Sequence, residues 1–430
     1  MTEAEAKSPG GEDADAFYAS KKAQYYALGV MLLIYACHSV DRQIVGVVTE
    51  PIRQELGATD TQMGAITLFY TLAFVLAMMP VGLLIDRTRR VRLLAILVAC
   101  WGGLTALAGL AGNIGQLIAA RMGVGAAEAG GHPTSVALIS DIFPQERRGS
   151  AIGTFYIASG LGGFLAFAGG GFIAAEYGWR AAFFVAGLPG FLLAMLCLFT
   201  LREPRRGATE HGTDVTAEKA PPFMTTVKFV LGTPAALNLG LSVMLASSVN
   251  VNFGTWQASY FMRTHGFDLK EVGIVGALGH GVAQAIGAFA SGFAADWFAR
   301  KRANRSGYAA TIAMLMIAPL GVAFTLASDP MVAVAMALAT GIFAGAWMAP
   351  TFTLLLSITR PNMRGSAIAL VQIMAAIGAG FGPFVTGVIS DALGGQLYIA
   401  LSIGMAVAAW AGLHSLAGVR YAARYNGATK

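Results

Sequence analysis

Twelve times in 430 residues this chain returns to an apolar run of about 20 residues, and no other feature limits its fold so sharply. A helix rises 1.5 Å per residue, so such a run crosses the roughly 30 Å of bilayer hydrocarbon. In that medium a helix satisfies every backbone polar group within its own segment. The runs are 25–48, 61–85, 93–110, 116–143, 150–175, 181–201, 235–260, 272–298, 308–327, 331–358, 367–392 and 397–419, numbered here as spans 1 to 12. Only 12% of residues are charged and 56% are hydrophobic, against roughly 25% charged in a soluble domain. The expected fold class is therefore an all-α membrane protein, which excludes a water-soluble enzyme with one large core.

The loops fix an expected orientation. One set carries Arg87, Arg89, Arg90, Arg92, Arg147, Arg148, Arg202, Arg205, Arg206, Arg300, Lys301, Arg302, Arg305, Arg360 and Arg364, while the opposite set has only Arg53, Arg180, Arg263 and Lys270. By the positive-inside rule both termini are cytoplasmic, and the protein is multi-pass in a plasma or inner membrane. The net charge of +6 is then topological and does not imply nucleic acid. Residues 1–24 form a polar, acidic cytoplasmic tail without the basic start of a signal peptide. Cys37, Cys100 and Cys197 lie in apolar runs without ligand spacing, so neither a disulfide nor a metal site is expected.

Residues 202–234 are the long hydrophilic stretch between spans, with room for an amphipathic helix. They separate two six-span bundles, 25–201 and 235–419, ahead of a cytoplasmic tail at 420–430. The halves echo each other: Gly82-Leu-Leu-Ile-Asp86-Arg-Thr-Arg-Arg90 is matched by Gly292-Phe-Ala-Ala-Asp296-Trp-Phe-Ala-Arg300, and Arg148-Gly-Ser-Ala-Ile by Arg364-Gly-Ser-Ala-Ile. Such a duplication points to two pseudo-symmetric bundles around a midplane site.

Within the runs, charge gathers twice: Asp41 and Arg42 in span 1, Arg121 and Glu128 in span 4. An ion inside hydrocarbon costs a few kcal/mol and persists when partnered or facing a polar cavity. Arg121 and Glu128 are seven residues apart, on one helix face and separated by about 10 Å. Asp41 and Arg42 are adjacent, so they point about 100° apart and cannot share one partner.

Gly82-x-x-x-Asp86-Arg87-x-x-Arg90 resembles the loop signature of the major facilitator superfamily, and Arg121-Met-Gly-Val-Gly125 resembles the span 4 signature of its proton-driven members. Val40-Asp41-Arg42, Arg121 with Glu128-Ala129, and Asp141-x-Phe143 with Arg148 are similar to the Spinster family of lysolipid and sphingolipid transporters. The resemblance implies a twelve-helix major facilitator fold, cavity helices 1, 4, 7 and 10, and rocker-switch alternating access.

Arginine stays protonated, so the coupling proton falls to Asp41 and Glu128. A carboxylate separated from its arginine in a low-dielectric cavity takes up a proton, and one beside an arginine stays ionised. Arg42 and Arg121 are then the candidates for an anionic headgroup. The alternative is a fixed ion-pair network clamping spans 1 and 4. His38, one turn before Asp41, and His132, four residues after Glu128, are candidate proton relays, with packing as the alternative. Asp86, Arg87, Arg90, Arg148, Asp296 and Arg364 are candidates for a cytoplasmic gate, or for topology alone.

Spans 7 and 10 offer Ser248, Asn252, Trp256 and Trp347 as substrate contacts, and no buried charge. A cavity charged on one wall and weakly polar on the other suits an amphiphile, hence a lysophospholipid or sphingoid-type solute driven by the proton gradient, with no cofactor and a monomer as the default. The same site could serve a drug or organic-anion exporter. An intramembrane lipid-modifying enzyme is disfavoured by the absence of His-Glu-x-x-His, Gly-x-Ser-x-Gly and Gly-Lys-Ser/Thr motifs.

Overall fold

Every apolar run becomes helix, and there is no strand among the described residues. The structure, a computed structural model, describes residues 14, 16–206, 222–300 and 303–428. Most of the expected N-terminal tail, linker residues 207–221 and Lys301 and Arg302 lie outside them.

Spans 1 to 3 are Lys21–Leu56, Asp60–Arg87 and Arg90–Ala108. Span 4 is two pieces, Ile114–Glu128 and Gly131–Ile142, and spans 5 and 6 form one helical stretch, Gln145–Thr200, turned at Gly178. Gly178 has φ 80°, a conformation that a side chain would strain, so the turn takes a single glycine. Phe223–Gly232 is a short helix in the linker. Span 7 is Pro234–His265. Span 8 runs as Leu269–Gly276, a π-helical Ala277–Ala283 and Gln284–Ala299. Span 9 is Gly307–Leu326, span 10 is Pro330–Gly345 with Met348–Ile358, and spans 11 and 12 are Arg364–Ala392 and Leu397–Ala428. Span 12 thus carries helix through most of the expected C-terminal tail. Spans 4 and 10, each a single apolar run in the sequence, both break near their middles, span 10 at Trp347 close to Pro350.

Four of the even-numbered spans start, at the end away from the basic loops, with a side-chain cap. Thr59 and Asp268 form capping boxes with Gln62 and Glu271, Asn113 accepts from the Gln116 N–H, and Asp329 from those of Met331 and Val332. These caps satisfy N–H groups that the first helical turn leaves free.

Lipid tails are as apolar as the side chains, so helices associate through close packing. Glycines allow it between the halves. A Cβ at Gly46 would stand 2.4 Å from the Gly254 carbonyl oxygen, and one at Gly64 2.5 Å from that of Pro383. Span 5 meets span 8 in the same way at Gly171 and Gly273. Other glycines of spans 5 and 11 pack within one half, Gly162 on Ser39 and Gly378 on Met244.

Contact between the halves reaches from the end away from the basic loops to about the level of Thr71 with Gly380 and Phe164 with Gly281. Towards the basic end they part: Gly82, Gly149, Gly153, Gly292 and Gly365 have open space around them. A cavity between the bundles therefore opens at the basic end and is closed at the other.

Candidate functional site

At the head of this cavity, four spans of the first half converge on two buried carboxylates. Asp41 of span 1 accepts from Arg121 Nη1 of span 4 at 2.7 Å and from the Thr105 hydroxyl of span 3 at 2.9 Å. Arg121 Nη2 also reaches the Asp41 carbonyl, at 3.3 Å. Glu128 ends the first piece of span 4, where it accepts from the Tyr70 hydroxyl of span 2. Its Oε2 lies 3.3 Å from His38 Nε2, in ion-pair reach but without a hydrogen bond. Gly125 makes the Tyr70 contact possible, since a Cβ there would stand 2.3 Å from the Tyr70 carbonyl oxygen.

One oxygen of each acid is left over. Asp41 Oδ2 and Glu128 Oε1 are buried without a donor, and the two carboxyl groups lie within hydrogen-bonding reach of each other. A buried acceptor left unpaired costs about 1–3 kcal/mol.

The 100° offset between neighbours on a helix separates Arg42 from this cluster. Asp41 is 1% exposed, whereas Arg42 is exposed, with its Cζ 5.9 Å from the Tyr70 ring centre. Arg121 lies 5.3 Å from the same ring, so Tyr70 stands within cation–π reach of both guanidinium groups. Arg42 has no hydrogen bond or ion pair among the described residues, although it sits in the middle of span 1. It therefore borders the open cavity. Of the two arginines expected to receive an anion, Arg42 is available and Arg121 is engaged with Asp41.

The two histidines flank Tyr35. His38 stacks on it at 5.6 Å between ring centres, and His132 approaches it at 5.4 Å while its Nε2 lies 3.0 Å from the Tyr156 hydroxyl. His38 is thus in contact with Glu128, and His132 is one ring removed.

The second half departs from expectation. Trp256 is fully buried and its indole N–H donates to the Pro383 carbonyl at 3.1 Å, while Asn252, 1% exposed, is wedged beside Thr386 and Gly404. Ser248 abuts Gly382, and Trp347 is buried at the break of span 10. Here Trp256, Asn252 and Trp347 pack inside their own bundle rather than on the cavity wall. Residues four apart share a helix face, and the face bearing Asn252 and Trp256 is turned to spans 11 and 12. The polar face turned to span 8 carries Asn250: Gln284 donates to it at 3.3 Å and lies 2.8 Å from His280 Nδ1. The His280 ring lies parallel to Phe167 of span 5, 4.9 Å away.

The family model for the Major Facilitator Superfamily matches this chain twice, over residues 31–325 and 239–423. The chain belongs to the Major Facilitator Superfamily. It is a secondary transporter by fold, not an enzyme. It is 27% identical over 368 residues to an MFS-type efflux pump of Mycolicibacterium smegmatis, covering 85% of this chain and 84% of that one. A probable L-galactonate transporter of Escherichia coli strain K12 is 25% identical over 387 residues, 86% and 84% of the two chains. Among solved structures, a bacterial homolog to the human lysosomal transporter Spinster, inward-facing and unoccupied, superposes with a TM-score of 0.82 at 25% identity, over 94% of this chain and 98% of that one.

This major facilitator is held shut at one end by a network that sequence reasoning missed. Arg263 of span 7 donates to Glu50 at 2.7 Å and to both oxygens of Asp60 at 2.7 and 2.8 Å. Arg53 adds a bond to Glu50 at 2.8 Å, the Ser390 hydroxyl donates to Asp60 at 2.6 Å, and Asp391 accepts the Thr61 N–H at 2.8 Å. Glu50 and Asp60 are each 2% exposed. The available signal was Arg263 itself, one of only four basic residues at an end that also carries Glu50, Glu55, Asp60 and Asp391.

At the open end none of Asp86, Arg87, Arg90, Asp296 and Arg364 bridges the halves among the described residues. Asp86, Arg87, Asp296 and Arg364 are exposed, and Arg148 is half-buried. Arg90 is buried and bound to Asp141, to Glu203 at 2.9 Å and to the Pro204 carbonyl at 2.9 Å, all within the first half. It ties the loop to span 4 and to the chain leaving span 6.

Proposed function

We propose that this major facilitator couples a proton gradient to the movement of an amphipathic organic anion of lysophospholipid or sphingoid type. The observation that carries the reading is Arg42, a cation in the middle of a span, exposed to the cavity beside the Tyr70 ring and without a hydrogen bond or ion pair among the described residues. An anionic headgroup is its natural counter-ion, since a charge-assisted bond there contributes about 1.5–3 kcal/mol.

Asp41 and Glu128 are the proton carriers in this reading. A proton taken up by either carboxyl group supplies a donor where each keeps an unpaired oxygen, and Arg121, Thr105 and Tyr70 hold the remaining oxygens. A clamp of spans 1 and 4 needs the Asp41–Arg121 pair alone; Glu128 and Arg42 are in excess of it. His38 is the relay in contact with Glu128. With the basic end cytoplasmic, the open cavity faces inward, and Arg263 with Glu50 and Asp60 is the outer lock. Asp86 and Asp296 would engage across the halves when the basic end closes.

The amphiphile follows from the contrast between a charged first-half wall and a second half without buried charge, and from the likeness to the Spinster homolog. A compact organic acid is the second reading, favoured by the galactonate relative; it uses the same Arg42.

The test is uptake of labelled lysophosphatidylglycerol and, separately, galactonate into proteoliposomes under an imposed pH gradient. The expected result is gradient-driven lysolipid movement, abolished by Asp41→Asn with Glu128→Gln and strongly reduced by Arg42→Ala. Galactonate movement without lysolipid movement selects the second reading. Uptake by the double variant that still follows the pH gradient removes the proton assignment.

A further inference from the structure

Where the start of span 3 meets the end of span 6, a cavity of about 540 Å³ is walled by Arg89, Arg92, Leu198, Phe199 and Glu203. It belongs to the outer surface of the first half, remote in sequence and structure from Arg42. Arg89 is the residue before the first turn of span 3, and residue 201 follows the last turn of span 6, so the cavity lies at the depth of the membrane–water boundary on the basic side.

Arg89 and Arg92 are exposed and make no hydrogen bond or ion pair among the described residues. The single carboxylate in the walls cannot neutralise them, because Glu203 has one oxygen on Arg90 at 2.9 Å and the other on the Val91 N–H at 2.8 Å. Arg206 adds further positive charge beside the loop, donating to the Ile85 and Thr88 carbonyls at 2.8 and 3.1 Å. Leaving the arginines towards the membrane, the wall becomes apolar: Leu198 is 42% and Phe199 72% exposed. Such faces on a membrane helix meet acyl chains.

We infer that this cavity is a binding site for one anionic phospholipid of the adjacent leaflet, its phosphate held by Arg89 and Arg92 and its acyl chains lying along Leu198 and Phe199. Basic pockets between membrane helices on the side rich in arginine fit such headgroups. A soluble phosphate would use the arginines and leave the apolar wall idle; a zwitterionic lipid would bring its own cation to an already cationic site. Two arginines of this basic loop, outside the specified positions of its signature, thus act on lipid as well as on topology.

The experiment titrates phosphatidylglycerol onto the purified full chain in detergent, counting bound lipid by native mass spectrometry. One tightly held phosphatidylglycerol per chain is expected, with an affinity about 30-fold lower in Arg89→Gln/Arg92→Gln, two arginines near a lipid surface each contributing several-fold. Arg89→Lys/Arg92→Lys keeps most of the affinity and shows that fold and topology survive. Arg42→Ala and Arg360→Gln leave it unchanged, which separates this site from the central cavity and from general basicity. Equal affinity in the Gln double variant, equal binding of phosphatidylcholine, or displacement of the lipid by millimolar inorganic phosphate would each overturn the inference.

Discussion

Spans 4 and 10 occupy equivalent positions in the two halves, and each breaks near its middle, one at residues 129–130 and the other at 346–347. The first break follows Glu128, fully buried against Tyr70 and His38; the second holds Trp347, buried with an indole N–H that has no partner. One backbone device thus serves two chemistries. In the first half it sits beside a charged cluster drawn from four spans, and in the second it sits in an uncharged interior where Asn252, Gln257 and Trp347 keep unpaired polar atoms. The contrast teaches a division of labour: the buried charge cluster is built into one bundle, and the other supplies an uncharged interior packed against it.

The largest effect should come from removing one partner of the buried pair. Arg121→Ala strands Asp41 in a low-dielectric interior and is expected to cost about 3–5 kcal/mol, read as a lowered melting temperature in detergent. In the second half, Asn252→Leu removes amide atoms that already lack partners and should be close to neutral or stabilising. A large loss there and none at Arg121 would reverse the comparison.

Next in size is the lock between the halves. Arg263→Gln removes the cation by which span 7 holds Glu50 and Asp60 in the closed end, and a shift of roughly 10- to 100-fold towards opening at that end follows from the 1.5–3 kcal/mol of a charged hydrogen bond. Spin labels placed across spans 1 and 7 would report it as a longer distance population. An unchanged distribution would mean that glycine packing alone holds the end shut.

The smallest effect separates the interface from the lipid-facing surface. Gly29→Ala meets nothing within 4 Å and should stabilise by roughly 0.5–1 kcal/mol through helix propensity. Gly46→Ala places a methyl group 2.4 Å from the Gly254 oxygen and should favour the separated arrangement of spans 1 and 7, seen as faster labelling of a cysteine at that end. Equal behaviour of the two variants would show that the halves do not depend on that close approach.

The clustering of Asp41, Arg121 and Glu128 was legible because charges in hydrocarbon must find each other, and these lie well inside the apolar runs of spans 1 and 4. Tyr70 and Thr105 were not, since a tyrosine or threonine in an apolar run carries no sign of what its hydroxyl meets. The Spinster resemblance anticipated the fold seen in the superposed homolog, whereas the substrate contacts assigned to Asn252, Trp256 and Trp347 followed from residue type alone and were turned inward by packing. The split of span 4 was hidden because its two pieces together still read as one apolar run.

By itself the sequence determined the class of the molecule: length and hydropathy require twelve helices, the echoes require two like halves, and the basic loops mark one end. Only the tertiary structure decided which end is shut, which arginine is free and which oxygens are left over. Burial in lipid is a property of each segment, readable one run at a time. Pairing is a property of helices brought together, and the offset of about 100° between adjacent residues on a span separates a cavity wall from a packed interior.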